Sequence, residues 1–402
     1  MNRNHNLEEL VQQFDYDKKN IKITGNSIDF FFGEFWTSKQ RQANSLHEIS
    51  YRACFKPQLP NFFIKNFTNP GDTVYDPFGG RGTTVIEAAL LNRNIIQNDL
   101  NPLSEIFAKS RLFVPTLEEV RERLDNIKTT EIIGSDIDLT MFYEKNTLSE
   151  ILNLKQYLSL RLKNFESDFI DDWIRAIATN RLTGHSKGFF SVYTFPPNQA
   201  VSAERQIKLN RQRNQIPEYR DIKSLILKKS KQLIRDLTTD SISQLKTIGS
   251  KAMFLNSPAH DTSKIPDLSV NLVVTSPPFL DVVQYKNDNW LRTWFNEIEI
   301  TPLKEKMMIH KEIDNWNEYM NLVFKELKRV IKNSGVLAFE VGEIRNGRIK
   351  LDEQIIPIAL ENGFRCLGVM INSQNFTKTS NIWGVKNNNL GTNSNRIIVL
   401  QK

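Results

Sequence analysis

Two short segments of this 402-residue chain carry residues in arrangements that could support chemistry. The first, "DPFGGRGTT" over residues 76–84, places a carboxylate ahead of Gly80 and Gly82. The second, "TSPPF" over residues 275–279, ends an apolar run with two consecutive prolines and an aromatic ring. Because proline lacks an N–H and fixes φ, the pair stops strand pairing and holds a rigid corner. Each segment therefore predicts a site at the end of a strand.

The glycine turn favours one ligand class over two others. A phosphate-binding loop needs Lys after its last glycine, and a dinucleotide fingerprint needs a third glycine, but Thr83 and Val85 stand at those positions. Asp76 at the strand end suits an ammonium group, which S-adenosylmethionine (SAM) carries. Asp99 ends the next predicted strand, where it could accept hydrogen bonds from ribose hydroxyls. The alternative is a turn with a structural role alone.

The flanking sequence predicts the elements that hold these segments in place. Residues 72–99 indicate strand, glycine turn, helix and strand, a unit typical of a parallel sheet with helices on both faces. A helix is predicted over 315–335, ended by Gly335, and 364–371 and 396–401 are predicted to pair as a terminal hairpin. Further strands are predicted at 251–256, 270–275 and 336–342.

A mostly α-helical insertion is predicted over residues 115–250, between the two halves of a catalytic domain at 1–114 and 251–402. Within it, residues 201–250 contain eleven Lys and Arg against five Asp and Glu, in a chain whose formal net charge is +7. This basic run has two interpretations, a solvated helical surface or a surface that contacts nucleic acid.

Composition narrows the class of protein. No apolar run approaches the ~18 residues of a membrane helix, and the first ten residues do not resemble a signal peptide. The two cysteines, Cys54 and Cys366, form neither a disulfide framework nor a metal-ligand spacing. We therefore expect a cytoplasmic protein without a metal and without a membrane partner.

Taken together, the two segments resemble the amino-methyltransferases that modify exocyclic amines of DNA bases. The SAM turn of that family, Asp-x-Phe-x-Gly-x-Gly, is matched by Asp76, Phe78, Gly80 and Gly82. Its catalytic tetrapeptide, Asp/Asn/Ser-Pro-Pro-Tyr/Phe, is matched by Ser276, Pro277, Pro278 and Phe279. The segment 55–64 resembles the Lys-Pro segment that precedes the SAM turn. The resemblance covers roughly 36–113 and 251–402, and it implies a Rossmann-like class I methyltransferase fold, an α/β doubly wound sheet with a terminal antiparallel hairpin.

The resemblance implies a role for each matched residue. The Ser276 hydroxyl and the Pro277 carbonyl would accept hydrogen bonds from the target amine, while Pro278 keeps the corner rigid. Phe279 would stack on a base flipped out of the helix, an interaction of ~1–3 kcal/mol. The residues expected to bind the cofactor are Lys56, Asp76, Phe78, Gly80, Gly82, Thr83, Asp99 and Asn256.

The chain departs from the family at one position and adds a basic insertion. An acid usually follows the third strand, whereas this chain has Asn256 there and Asp261 later. In the family, a long segment between the two motifs often recognises the target sequence, which favours DNA contact for the basic run. The candidate DNA-binding residues are Arg211, Arg213, Lys228 and Lys229. The resemblance implies double-stranded DNA and a cognate restriction endonuclease as partners, and a bacterial, nucleoid-associated location.

The type of target base follows from the first residue of the tetrapeptide. Serine there, as in Ser276, resembles the enzymes that methylate the N4 amine of cytosine, whereas aspartate is usual in N6-adenine enzymes. Methylation at carbon 5 of cytosine needs a cysteine nucleophile, and neither Cys54 nor Cys366 has a suitable context. The alternatives are N6-adenine methylation of DNA, methylation of an RNA base amine, and a DNA-binding subunit without catalysis.

Overall fold

Nine strands form one sheet in the order β1-β2-β10-β11-β7-β6-β3-β4-β5. The computed structural model describes residues 6–36, 43–51, 54–128, 134–195, 200–278, 285–299, 312–344, 348–372 and 395–402. Its strands are β1 Tyr16–Ile23, β2 Asn26–Gly33, β3 Thr73–Asp76, β4 Asn94–Asn98, β5 Met253–Leu255, β6 Val270–Thr275, β7 Ile331–Val341, β8 Glu343–Ile344, β9 Ile349–Lys350, β10 Arg365–Asn372 and β11 Asn395–Gln401.

Helices cover both faces of this sheet. They are α1 Leu7–Val11, α2 Gln58–Phe67, α3 Thr83–Leu90, α4 Leu103–Ser110, α5 Leu117–Asn126, α6 Lys145–Lys163, α7 Phe169–Arg181, α8 Ala203–Arg213, α9 Ile222–Ile234, α10 Thr239–Gly249, α11 Tyr285–Phe295, α12 Ile313–Val330 and α13 Leu351–Glu361. Successive strand residues point to opposite faces, so Val74 packs in one hydrophobic cluster and Tyr75 in the other. The second cluster is closed mainly by α12 and α13.

The strand directions explain where a ligand could bind. Strands β5, β4, β3, β6 and β7 are mutually parallel, and β11 runs antiparallel between β7 and β10. From β3 the chain proceeds outward to β4 and β5, then returns to place β6 on the other side of β3. The carboxyl ends of β3 and β6 therefore flank a topological switch point, where open α/β sheets bind ligands. The predicted α/β fold and its terminal hairpin are confirmed.

One boundary differs from the predicted helix over 315–335. Helix α12 ends at Val330, and Gly335 lies inside β7 rather than at a helix end. The chain leaves the helix early because Ile331 already pairs with Val270 across the sheet, and sheet pairing outweighs helical propensity there. The predicted strand 336–342 is accordingly the second half of a longer strand.

The insertion between the two halves shares its core with the sheet domain. Helices α5 to α10 occupy the described part of residues 115–250, and Trp173 of α7 belongs to the same buried cluster as Phe107 of α4. The division of the chain into domains stays a prediction.

The N-terminal hairpin of β1 and β2 extends the sheet beyond β10. These two strands were not predicted from the sequence. Their aromatic residues Phe30 and Phe31 are buried on opposite faces of the sheet. Among the described residues, no helix has both the length and the apolar character needed to cross a membrane.

Candidate active site at the sheet switch point

A buried hydrogen bond joins the two segments that the sequence singles out. The Thr275 hydroxyl at the end of β6 donates to Oδ1 of Asp76 at the end of β3, over 2.7 Å. Thr84, in the first turn of α3, donates to the Val274 carbonyl over 3.0 Å. The glycine turn and the Ser-Pro-Pro corner are therefore fixed to each other, although they lie far apart in the chain.

Asp76 lies almost wholly inside the protein, with 1% of its surface exposed. Its Oδ1 also accepts from the Phe78 backbone N–H over 3.1 Å. Burial raises the pKa of this carboxyl to about 7, because the charged form loses its hydration, while the hydrogen bonds from Thr275 and Phe78 oppose that rise. The carboxylate thus holds the turn together from within and carries a charge that depends on pH near neutrality.

The glycine turn leaves its backbone open towards a ligand. Gly82 has φ +79°, and a Cβ there would lie 2.8 Å from the Cβ of Ala108, so glycine is required. Gly80 has φ +52°, and a Cβ there would meet nothing closer than 3.9 Å. Helix α3 starts directly after Gly82 with no capping side chain, so the N–H groups of its first turn face the turn.

Asp99 stabilises the same turn from the neighbouring strand. Its two carboxylate oxygens accept from the backbone N–H groups of Gly80 and Asn101, each over 2.8 Å. Burial raises its pKa to about 6, and those two hydrogen bonds work in the opposite direction. By surface area Asp99 is only half-buried, so a ligand can reach it.

The Ser-Pro-Pro corner is held by contacts on both of its sides. The Ser276 side chain forms a hydrogen bond with Glu340, which is 5% exposed. The two residues are neighbours because Thr275 on β6 pairs with Phe339 on β7, and each is followed by one of them. Burial raises the pKa of Glu340 to about 8. On the other side, the indole N–H of Trp316 donates to the Pro278 carbonyl over 3.1 Å.

Sequence reasoning missed Glu340 and Trp316, which complete the site. Glu340 is the single charged residue in the apolar segment "VLAFEVG", and an acid in a buried strand is the signal that could have singled it out. Trp316 carries no comparable signal, because a tryptophan at the start of an amphipathic helix is ordinary core material. Both contacts depend on elements that follow the corner by many residues.

The remaining predicted cofactor residues are Lys56, Thr83 and Asn256. Arg81 reaches from the glycine turn to the carbonyls of Ile49 and Phe55 and to the hydroxyl of Thr83. Lys56, next along the chain, is half-buried and donates to the Trp36 carbonyl over 3.2 Å.

Asn256 follows β5 and is exposed, with its amide donating to Glu105 over 3.2 Å. Its neighbour Leu255 accepts a hydrogen bond from the backbone N–H of Asp99, which places Asn256 on the Asp99 side of the edge. Phe279 lies outside the described residues. The individual roles assigned to the cofactor and corner residues stay predictions.

The four candidate DNA-binding residues do not form a uniform set. Arg211 and Arg213 on α8 and Lys228 on α9 are exposed. Lys229 is only 6% exposed and its ammonium lies 3.9 Å from Glu48, so it does not present a surface charge as the sequence interpretation assumed. Helix α9 turns that residue inward because Ile226, Lys229 and Leu233 share its buried face.

The thiols do not resemble catalytic nucleophiles. Cys54 and Cys366 are reduced thiols, and burial raises the pKa of each thiol, that of Cys366 to about 11. A nucleophilic cysteine needs a lowered pKa, so neither thiol has the property that methylation at carbon 5 would require. In the part of the chain that the structure describes, no group of three His, Cys, Asp or Glu side chains could hold a metal ion.

The N-terminal part of the chain is similar to a known protein family. A family model described as DNA methylase, for N6 and N4 methyltransferases, matches residues 2–139, a range that includes the glycine turn and Asp99 but not Ser276. The resemblance to DNA amino-methyltransferases is thereby confirmed for the first segment.

Two curated proteins show similarity over part of the chain. Type II methyltransferase M.MjaII of Methanocaldococcus jannaschii is 30% identical over 153 residues, which cover 37% of this chain and 29% of that protein. Type II methyltransferase M.BsoBI of Geobacillus stearothermophilus is 32% identical over 114 residues, covering 27% and 22%. The matched region thus spans less than a third of either relative.

Solved structures are more distant. A DNA modification methylase of Thermus thermophilus, TTHA0409, solved in complex with S-adenosyl-L-methionine, is 21% identical over 36% of this chain and 53% of that one, with a TM-score of 0.23. An overlay at that score supports no statement about function.

Proposed function

We propose that this chain is a SAM-dependent DNA methyltransferase that transfers a methyl group to an exocyclic base amine. The observation that carries the proposal is the 2.7 Å hydrogen bond between Thr275 and Asp76. It holds the glycine turn and the Ser-Pro-Pro corner on adjacent strand ends, which supports a site where a sulfonium cofactor and an amine could meet. The similarity of residues 2–139 to the DNA methylase family supports the same assignment.

The residues of the glycine turn fit SAM. The open approach at Gly80, the uncapped start of α3 and the reachable carboxylate of Asp99 provide space, N–H donors and an acceptor for ribose hydroxyls. The buried charge of Asp76 would favour a nearby cation. When bound, SAM supplies the methyl group and keeps the bonding electron pair on its sulfur as the carbon–sulfur bond breaks.

The corner would activate the amine by accepting its N–H groups. An exocyclic amine is conjugated with its ring, and hydrogen bonds to fixed acceptors draw it towards a tetrahedral nitrogen with an available lone pair. The acceptors are the Ser276 hydroxyl oxygen and the Pro277 carbonyl, in a corner that Trp316 keeps in place. The lone pair of the amine nitrogen would form the new bond to the methyl carbon, and the cationic nitrogen would then release one proton to solvent, because a hydroxyl and an amide carbonyl are too weakly basic to keep it.

Glu340 would set the orientation of the Ser276 hydroxyl. When Glu340 is ionised, it accepts a hydrogen bond from the Ser276 hydroxyl. Both lone pairs of the serine oxygen are then available to the amine. When Glu340 is protonated, it donates to that oxygen and occupies one lone pair. Glu340 is therefore a positioning residue that acts through Ser276.

We infer that the target is the N4 amine of cytosine, on the resemblance carried by Ser276, with the N6 amine of adenine as the second candidate. The two relatives are both called Type II methyltransferases, which supports a restriction–modification setting with a cognate endonuclease. Phe279 would provide the stacking surface for a flipped base. Methylation of an RNA base amine, or DNA binding without catalysis, are the competing functions.

Incubation with tritiated SAM and unmethylated duplex DNA, followed by nucleoside mass spectrometry, tests the proposal. We expect label in N4-methylcytosine, and label in N6-methyladenine would change the base but keep the chemistry. If only RNA is labelled under matched conditions, RNA and not DNA is the substrate. SAM binding by calorimetry with no label in any nucleic acid would support the subunit without catalysis.

A further inference from the structure

Helix α8 is unusual because almost none of it is buried. Of its residues Ala203–Arg213, only Gln206 is buried. Most helices in folded proteins are stabilised by an apolar face packed on the core, whereas the apolar contact of α8 with the core is limited to the partly buried Ala203. Its exposed residues are Glu204, Arg205, Ile207, Lys208, Arg211, Gln212 and Arg213.

Side-chain amides hold α8 in place instead. The Gln206 amide donates to the Tyr193 carbonyl over 3.1 Å and to Oδ1 of Asn210 over 2.7 Å. Asn210 donates to the Met141 carbonyl over 2.8 Å, and Gln215 donates to the Tyr193 carbonyl over 2.9 Å. This network fixes the helix and leaves the rest of its circumference free for another molecule.

The exposed surface of α8 is cationic and has one polar stripe. It carries Arg205, Lys208, Arg211 and Arg213 against one acid, Glu204. Arg205, Lys208 and Gln212 are spaced i, i+3 and i+7, so they share one side of the helix. That side lines an open cleft of about 620 Å³, which Phe195 also borders.

Beside this stripe, the Arg213 guanidinium lies 4.0 Å from the centroid of the Tyr193 ring. The contact restricts the side chain to one orientation without neutralising its charge.

A further contact joins the start of α8 to helix α11. The indole N–H of Trp290 donates to the Val201 carbonyl over 3.2 Å, two residues before α8 begins. Trp290 belongs to α11, the first described helix after the Ser-Pro-Pro corner. The chain just before α8 is therefore fixed to α11.

We propose that α8 is the element that reads the DNA sequence, with Arg205, Lys208 and Gln212 directed at base edges and Arg211 and Arg213 at phosphates. The proposal rests on the proposed function and specifies its recognition surface. An α-helix fits the major groove, where Arg and Lys pair with guanine and Gln pairs with adenine. The cationic surface complements the phosphate backbone, and no burial of α8 within its own fold competes with that contact.

The test is selection of bound sequences from a randomised duplex library, with the wild-type chain compared with Arg205→Ala, Gln212→Ala and Lys228→Ala. We expect each α8 variant to lose preference at particular base positions by roughly 5- to 150-fold, the range for one bidentate contact. Lys228→Ala removes an exposed charge from the neighbouring helix and should weaken all sequences alike. Because these side chains are exposed, thermal unfolding of each variant should match the wild type.

Wild-type preferences that persist in Arg205→Ala and Gln212→Ala would overturn the proposal, as would a wild-type chain that binds an RNA helix but not duplex DNA. Failure of the proposed function looks different. In that case the chain selects DNA sequences through α8 but transfers no methyl group from SAM. Conversely, if the chain methylates DNA and its α8 variants keep every base preference, the proposed function stands and α8 is not the recognition surface.

Discussion

The carboxyl edge of the sheet and the surface of α8 hold their polar groups in opposite ways. At the edge, Asp76 is 1% exposed and Glu340 is 5% exposed, and each is hydrogen-bonded to a neighbouring strand end. On α8, all four cations are exposed and only Gln206 is buried. The first region fixes atoms relative to one another, and the second presents charge to solvent.

This difference has a physical cause. Burial removes water from a carboxylate and raises its pKa, as for Asp76 and Glu340, so such a group must be held by neighbours to remain useful. Exposed cations keep their hydration, act over a Debye length of about 8 Å and tolerate loose positioning. Substitutions at the edge should therefore affect one step severely, whereas substitutions on the surface should have small, additive effects.

The largest expected effect is on turnover, from Ser276→Ala. Loss of the hydroxyl removes an acceptor that acts where the amine rehybridises, and we expect the single-turnover rate to fall by roughly 100- to 1000-fold. SAM affinity measured by calorimetry should stay within about twofold, because Ser276 belongs to the corner and not to the glycine turn. Methylation at the parent rate would contradict the role of Ser276.

The second largest effect is a loss of SAM affinity in the Asp76→Ala variant. Removing a buried charge beside a cation should weaken SAM binding roughly tenfold or more. In the wild type, affinity should rise as pH increases through about 7, because ionised Asp76 attracts the cation and its pKa lies there. Calorimetry between pH 5.5 and 8.5 measures both.

A matched variant separates charge from structure at this position. Thr275→Val removes the hydrogen bond to Asp76 but leaves the carboxylate. Equal losses of affinity in Asp76→Ala and Thr275→Val would mean that the bond between strands, and not the charge, supports the cofactor.

The third effect is a pH dependence carried by Glu340. Turnover should rise with pH through about 8, where Glu340 ionises and frees the second lone pair of Ser276. Glu340→Gln should abolish this rise while keeping much of the activity at lower pH. A rise that survives in Glu340→Gln would assign the ionisation to another group.

Stability provides an independent readout of the same carboxyl. The folded-state pKa of Glu340 is raised above its value in the unfolded chain. The contribution of protonated Glu340 to the free energy of unfolding is therefore present at low pH and lost as pH rises through about 8. Thermal unfolding of Glu340→Gln should therefore show a weaker loss of stability between pH 6 and 9.

The smallest effect contrasts two adjacent lysines. Lys228→Ala should reduce the salt dependence of DNA binding by about one phosphate contact and leave stability unchanged, because Lys228 is exposed. Lys229→Ala should instead change the unfolding temperature and leave the salt dependence intact, because Lys229 is buried near Glu48. Equal salt slopes in both variants would remove the distinction.

The sequence by itself determined the glycine turn, the Ser-Pro-Pro corner and the strand–turn–helix–strand unit that carries the first of them. These are local features, since glycine permits the positive φ found at Gly82 and proline has no N–H at Pro277. The strand of β6 was likewise predicted over 270–275, where it lies, because its apolar run ends at the corner.

Only the tertiary structure decided which distant groups meet at that edge. Glu340 lies beside Ser276 because β7 pairs with β6 in one register, and a shift of one residue would point Glu340 to the opposite face. The same long-range pairing starts β7 at Ile331 and not after Gly335, and helix packing turns Lys229 inward. Such contacts depend on register and packing between segments far apart in the chain, which residue types and local spacing do not encode.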